Sequence, residues 1–209
     1  MKIHTLVLGM VQTNVYVLIQ EESREAVLFD PGDVPERICD YLNQNQLEAK
    51  AVCLTHGHFD HILAVPELQK KLSVPVYASA REENLLSSGE LNESLAACRR
   101  EVTVKPDRML KDGEVFEAAG FQIMMIDTPG HTEGSCCYYL KEEKVLFSGD
   151  TLFEGSVGRT DLHTGSMNEL MRSIKEKLSP LPDDTEVYPG HGGMTTIGDE
   201  RKWNPFWRE

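Results

Sequence analysis

Short apolar runs that stop at glycine, proline or aspartate recur along this chain. Residues 26–29, 51–54, 121–126, 145–147 and 185–188 each read as a buried strand running into a polar turn. The apolar stretch at 5–11 is interrupted by Gln12-Thr13-Asn14, and alternation resumes over 15–19. That pattern predicts a first hairpin rather than an export signal. Helical spacing is predicted at 35–45, 63–72, 80–87, 92–99 and 166–178. In the last of these, Ser166-Met167-Asn168-Glu169 matches a capping box, and Leu170, Ile174 and Leu178 share one face. Residues 82–107 are charged and poorly periodic, and read as an insertion that shapes substrate access or a subunit contact. Strands interleaved with helices predict a layered α/β architecture, in which functional groups gather on the loops leaving the strands at one sheet edge.

The turns that end these strands carry the chemistry. Thr55-His56-Gly57-His58-Phe59-Asp60-His61 places three imidazoles and a carboxylate on one loop. His131 follows the run at 121–126, Asp150 the run at 145–147, and His191 the run at 185–188. Neutral imidazole and carboxylate are donors for borderline divalent metals, and crowding them together is costly unless an ion offsets their desolvation. His56, His58, Asp60, His61, His131, Asp150 and His191 make seven donors, too many for one tetrahedral ion, so two metals are expected. No cysteine falls in a donor turn. Structural zinc sites favour closed thiolate sets, so the all-N/O composition favours catalysis. Zinc is the expected metal, although the same donors accept iron or manganese. Asp30, Thr55, Thr132 and Ser135 are candidates to hold the ligating imidazoles in place, with turn capping as the alternative. Arg159 and Asp161 are expected to pair and brace the Asp150 loop, His163 to lie on the surface, and His4 to sit on a sheet face.

The His56-x-His58-x-Asp60-His61 loop with His131, Asp150 and His191 resembles the signature of the metallo-β-lactamase superfamily. Within it, Thr128-Pro129-Gly130-His131-Thr132-x-Gly134-Ser135 and Gly149-Asp150-Thr151-Leu152-Phe153-x-Gly155-Ser156-x-Gly158-Arg159-Thr160-Asp161 resemble the glyoxalase II branch. The ending Glu200-Arg201-x-x-Asn204-Pro205-Phe206 is similar to short bacterial hydrolases of that type. The resemblance implies a four-layer αββα sandwich forming one domain over 1–209, with the site at one edge of two sheets. It also implies one metal on His56, His58 and His131, a second on Asp60, His61 and His191, and Asp150 between them. The implied activity is hydrolysis of a small-molecule acyl-thioester by a hydroxide held between the two ions, with Asp60 and Asp150 as the catalytic carboxylates. Only eighteen residues follow His191, so a C-terminal helical domain of the kind that binds glutathione is not expected, and the thiol half of the substrate stays open. A persulfide dioxygenase of the same superfamily shares the Gly158-Arg159-Thr160-Asp161 resemblance and would use one iron on His56, His131 and Asp150. Lactone and β-lactam hydrolases of this fold are further alternatives. A non-catalytic scaffold would be signalled by a lost ligand, and none is lost.

Composition narrows the classes. A net charge of −13 disfavours nucleic acid, which calls for a basic stripe. No apolar run is long enough to span a membrane. The five cysteines are odd in number and lack CxxC spacing; with no export signal, this favours a reducing, cytoplasmic setting. Both tryptophans fall in the tail at 203–207 and are expected to pack on the body of the protein.

Overall fold

The computed structural model describes residues 1–207. The first sheet opens with β1 (Lys2–Leu8), β2 (Thr13–Gln20) and β3 (Glu25–Phe29), which pair antiparallel in sequence order. Helix α1 (Pro35–Gln44) then crosses back, and β4 (Glu48–Cys53) adds parallel to β3. A single turn of helix, α2 (Phe59–Ile62), and α3 (Val65–Leu72) lead to β5 (Val76–Ser79), again parallel. An excursion holds α4 (Glu83–Leu86) and α5 (Ser94–Cys98) before β6 (Arg108–Leu110) completes a sheet of six strands.

The second sheet begins with the antiparallel run β7 (Val115–Ala118), β8 (Phe121–Asp127), β9 (Cys136–Leu140) and β10 (Val145–Gly149). A small hairpin, β11 (Leu152–Phe153) with β12 (Ser156–Val157), projects from the end of β10. Helix α6 (Met167–Ser173) continues as a π-helical turn over Ile174–Leu178, and β13 (Glu186–Pro189) returns parallel to β10. The short strand β14 (Thr195–Thr196) and α7 (Ile197–Trp203) close the fold.

Three apolar layers hold four structural layers together. Ile38, Leu42, Val65 and Leu68 pack α1 and α3 on the outer face of the first sheet. Val27, Phe29, Ala51 and Cys53 meet Ile123, Met125, Tyr138 and Phe147 between the sheets. Leu170, Ile174 and Leu178, the face foreseen from their spacing, pack on the outer face of the second sheet with Ile126, Leu146 and Val187. This is the αββα sandwich. Strands β9 and β10 are buried on both faces, which explains their unbroken apolar runs, whereas β8 alternates. Among the described residues no helix is long and apolar enough to cross a membrane.

The structure departs from the sequence reading in some places. The helix expected at 80–87 is a 3-10 turn (Ala80–Glu82) followed by α4, and that expected at 166–178 changes pitch at Ile174. Of the two tryptophans, Trp207 packs against the third core but Trp203 is exposed beneath the ammonium of Lys202, so only one packs on the body. His4 stacks on Tyr41 with ring centroids 4.0 Å apart.

At the centre between the sheets, Phe29 stacks on Phe147 at 3.9 Å and meets Tyr138 at 5.6 Å. Phe29→Ala is expected to lower the unfolding free energy by ~3–5 kcal/mol, read from urea denaturation. A loss below about 1 kcal/mol would contradict this packing.

Candidate functional site

Every donor turn leaves the C-terminal end of a strand at one edge of the sandwich. The turn after β4 carries His56, His58, Asp60 and His61; the turns after β8, β10 and β13 carry His131, Asp150 and His191. Because β3 and β4, and likewise β10 and β13, run parallel, their ends share that edge. The two sheets are drawn together there by Asn14, whose amide donates to the carbonyls of Pro189 and Gly192 at 2.9 and 3.0 Å.

All seven side chains converge. Donor atoms of His56, His58 and His131 lie within 4.8 Å of one another, as do those of Asp60, His61 and His191, and those of His56, His61 and Asp150. Asp150 sits between the groups: Oδ1 is 3.4 Å from Nε2 of His61, and Oδ2 is 3.6 Å from Nε2 of both His131 and His191. Asp60 Oδ2 lies 3.2 Å from Nε2 of His191 and 3.4 Å from that of His61, and accepts from the Thr13 hydroxyl at 2.9 Å. Gly190 makes the crowding feasible, since a Cβ there would meet Asp150 Oδ1 at 2.2 Å and His61 Cε1 at 2.7 Å.

Hydrogen bonds around the cluster fix which nitrogen three of the five imidazoles present, while His58 Nδ1 lies 2.8 Å from His131 Nε2. His61 Nδ1 donates to Asp30 Oδ2 at 3.0 Å, leaving the lone pair on Nε2. His131 Nδ1 donates to the Arg159 carbonyl at 2.7 Å, with the same result. Asp30 also accepts from the backbone N–H of Thr55 at 2.7 Å and from its hydroxyl at 2.6 Å. With its only proton so used, Thr55 Oγ1 accepts from His56 Nδ1 at 3.1 Å, and Nε2 of His56 is again the free lone pair. One carboxylate therefore sets the tautomer of His61 directly and of His56 through Thr55. Asp30 does this at φ +48°, a left-handed conformation that aspartate tolerates better than most residues.

The electrostatics fit a cation. Burial keeps His56 neutral and pushes His58 down to about 3, so both stay in the ligating form. For His61, burial is outweighed by Asp60, Asp150 and Asp30, which together raise its proton affinity. Burial would raise Asp60, but the neighbouring His61 and His191 hold it well below the usual carboxylate range. Five buried side-chain polar atoms lack a hydrogen-bond partner among the described residues. Four of them are in this cluster: Nε2 of His56, His58 and His61, and Oδ1 of Asp150. Buried polar groups are nearly always paired, so orphans concentrated among imidazoles and a carboxylate suit divalent ions.

A cavity of about 450 Å³ opens over the cluster. Val11, Phe59, Phe153, Val157 and Leu162 give it apolar walls, with Glu93 and Arg159 also lining it. Its β11–β12 wall is clamped by the C-terminal motif. Buried Glu200 accepts from the Gly155 N–H at 2.9 Å and from Thr195 at 2.6 Å, while the Asn204 amide donates to the Ser156 carbonyl at 3.0 Å. A second groove of about 390 Å³, bordered by Met171, Ile174, Phe206 and Trp207, contains none of the seven side chains.

Arg159 and Asp161 do pair, through two bonds of 2.7 and 2.8 Å, but both side chains are exposed, so the pair adds little to stability. The link from this segment to the cluster is the Arg159 carbonyl. His163 is exposed, 3.8 Å from Glu93 near the mouth. Two contributors have no sequence signal of their own. Glu82 is buried, and the Gly57 N–H and the Thr132 hydroxyl donate to it. Burial pushes its carboxyl up to about 7, against the pull of its donors. Asn92, also from the 82–107 excursion, accepts through its carbonyl from Phe59 N–H at 2.8 Å. That excursion thus supports the histidine loop as well as bordering the entrance.

The family model described as the metallo-beta-lactamase superfamily matches residues 8–191. A "probable metallo-hydrolase" of Bacillus subtilis is 41% identical over 99% of this chain and 97% of its own. Hydroxyacylglutathione hydrolase GloC of Haemophilus influenzae is 36% identical over 90% of both. Among solved structures, BLEG-1, described as a B3 metallo-β-lactamase, superposes with a TM-score of 0.94 at 43% identity, covering 100% of both chains. TTHA1623, solved in a di-iron-bound form, superposes at 0.85 with 38% identity, covering 97% of this chain and 99% of its own.

Asp30→Ala removes the acceptor that holds His61 and, through Thr55, His56. The variant is expected to bind divalent ions about 10–100-fold more weakly in competition with a chromophoric chelator. Unchanged affinity would refute this role.

Proposed function

The chain belongs to the metallo-β-lactamase superfamily, and on that premise we propose that it cleaves acyl-thioesters of small thiols, releasing a carboxylate and a thiol. That it is a metal-dependent hydrolase acting on a small molecule follows from the family and its relatives; the proposal concerns which bond is cut. His56, His58 and His131 would hold one divalent ion, Asp60, His61 and His191 the other, and Asp150 would reach both. The pair is in keeping with the di-iron form of TTHA1623, while zinc is the metal proposed here. Two such ions would supply a Lewis acid for the carbonyl oxygen and a water acidified to a pKa of about 7.

The protein's own groups do the rest. Asp60 and Asp150 would supply the negative charge that keeps the ions bound and would orient the attacking water. The apolar walls exclude bulk water and accept the acyl chain. A departing thiolate needs no strong proton donor, unlike the amine released from an amide. The observation that carries the thioester reading is the 36% identity to a hydroxyacylglutathione hydrolase over 90% of both chains. In addition, among the described residues no lysine or tyrosine lines the cavity, and Arg159 is paired with Asp161. Hydrolysis of β-lactams is the second reading, favoured by the likeness to BLEG-1 along the whole chain. All five cysteines are unpaired, which supports a reducing, cytoplasmic setting.

Elemental analysis of protein purified without added metal is expected to find close to two divalent ions per chain. Acyl-thioesters, β-lactams and persulfides are then assayed in parallel. Thioesters should give the highest kcat/KM, falling at least about a hundredfold in Asp60→Ala and Asp150→Ala. One iron per chain with O₂ consumed on a persulfide, or turnover of β-lactams alone, would overturn the proposal.

A further inference from the structure

Glu82 forms no hydrogen bond or ion pair with any of the seven converging side chains, yet it joins the two segments that carry one group of them. Its Oε1 accepts from the backbone N–H of Gly57 at 2.8 Å, and its two oxygens accept from the Thr132 hydroxyl at 2.9 and 3.0 Å. Gly134 packs directly against the same carboxylate. Gly57 separates His56 from His58, and Thr132 and Gly134 follow His131. The turns of all three imidazoles of one group are thus tied to a single carboxylate, which forms no hydrogen bond or ion pair with Asp60, His61 or His191.

The contact is closely built. A Cβ at Gly134 would meet Glu82 Oε2 at 2.3 Å and the backbone of Arg81 and Glu82 at 2.5 Å, so only glycine lets the loop approach. The Ser135 hydroxyl, 2.7 Å from Thr132 Oγ1, donates there and leaves the Thr132 proton for Glu82. Glu82 is 1% exposed and forms no ion pair with the described residues. A buried carboxylate without a countercharge is a poor way to fill space. Its particular capacity is to gather several converging N–H and O–H donors at once.

We propose that Glu82 is a positioning residue that fixes the geometry of the His56–His58–His131 group and so sets the affinity of that group alone for its metal ion. The proposal rests on the reading of the seven side chains as two ligand groups. Glu82→Gln preserves size but turns an N–H₂ toward groups that are themselves donors. Thr132→Val removes one donor and covers the case in which the first variant does not fold.

Stepwise zinc binding, followed against a chromophoric chelator, is expected to show two ions in the wild type. In Glu82→Gln one step should weaken about 10–100-fold and the other change less than about twofold, with a smaller loss at the same step in Thr132→Val. Cobalt substitution should show the loss in the visible bands of one site only. Two unchanged steps in the variants, or two steps weakened alike, would overturn the role of Glu82 while leaving the ligand reading intact. Fewer than two ions in the wild type would overturn both.

Discussion

Packing imidazoles and carboxylates side by side away from water is unfavourable unless opposite charge compensates, because each group gives up hydration that neutral protein cannot replace. Here the compensation has to come from within the cluster or from cations. Asp60, Asp150 and Asp30 outweigh burial and raise the proton affinity of His61, and the same field favours divalent ions. Much of the architecture near this edge serves that requirement. Parallel strands deliver the donor turns to one side, glycine at 190 permits close approach, and the Asn14 amide holds the two sheets in register.

The supporting carboxylates divide the labour. Asp30, at the end of β3, reaches His61 and, through Thr55, His56. Glu82, at the start of the first sheet's long excursion, braces the turns around His56, His58 and His131. Glu200 acts farther out, clamping the hairpin whose Phe153 and Val157 form a wall of the cavity. Each is buried, and each accepts from backbone N–H groups of a loop that would otherwise leave them unpaired.

The seven converging side chains were legible in the sequence because their chemistry is local. His56, His58, Asp60 and His61 share one turn, and His131, Asp150 and His191 each follow an apolar run that announces a strand. Asp30 was legible for the same reason, standing at the end of its own run. Glu82 was not. It lies in a charged stretch where period gives no guidance, and its partners are backbone N–H groups whose positions depend on the fold. Strand β5 and the short strands β6, β11, β12 and β14 were equally hidden, since two to four residues carry too little periodicity to read. The change of pitch at Ile174 left Leu170, Ile174 and Leu178 on one face, so the burial pattern was foreseen while the helix type was not.

The most direct test of this account is a crystal structure of the metal-loaded protein with anomalous data collected at the metal's absorption edge. Two peaks roughly 3.5–4 Å apart are expected. One should be ligated by His56, His58 and His131, the other by Asp60, His61 and His191, with the Asp150 carboxylate reaching both. A single peak at full occupancy, or ions bound elsewhere while these side chains pair with one another, would contradict it.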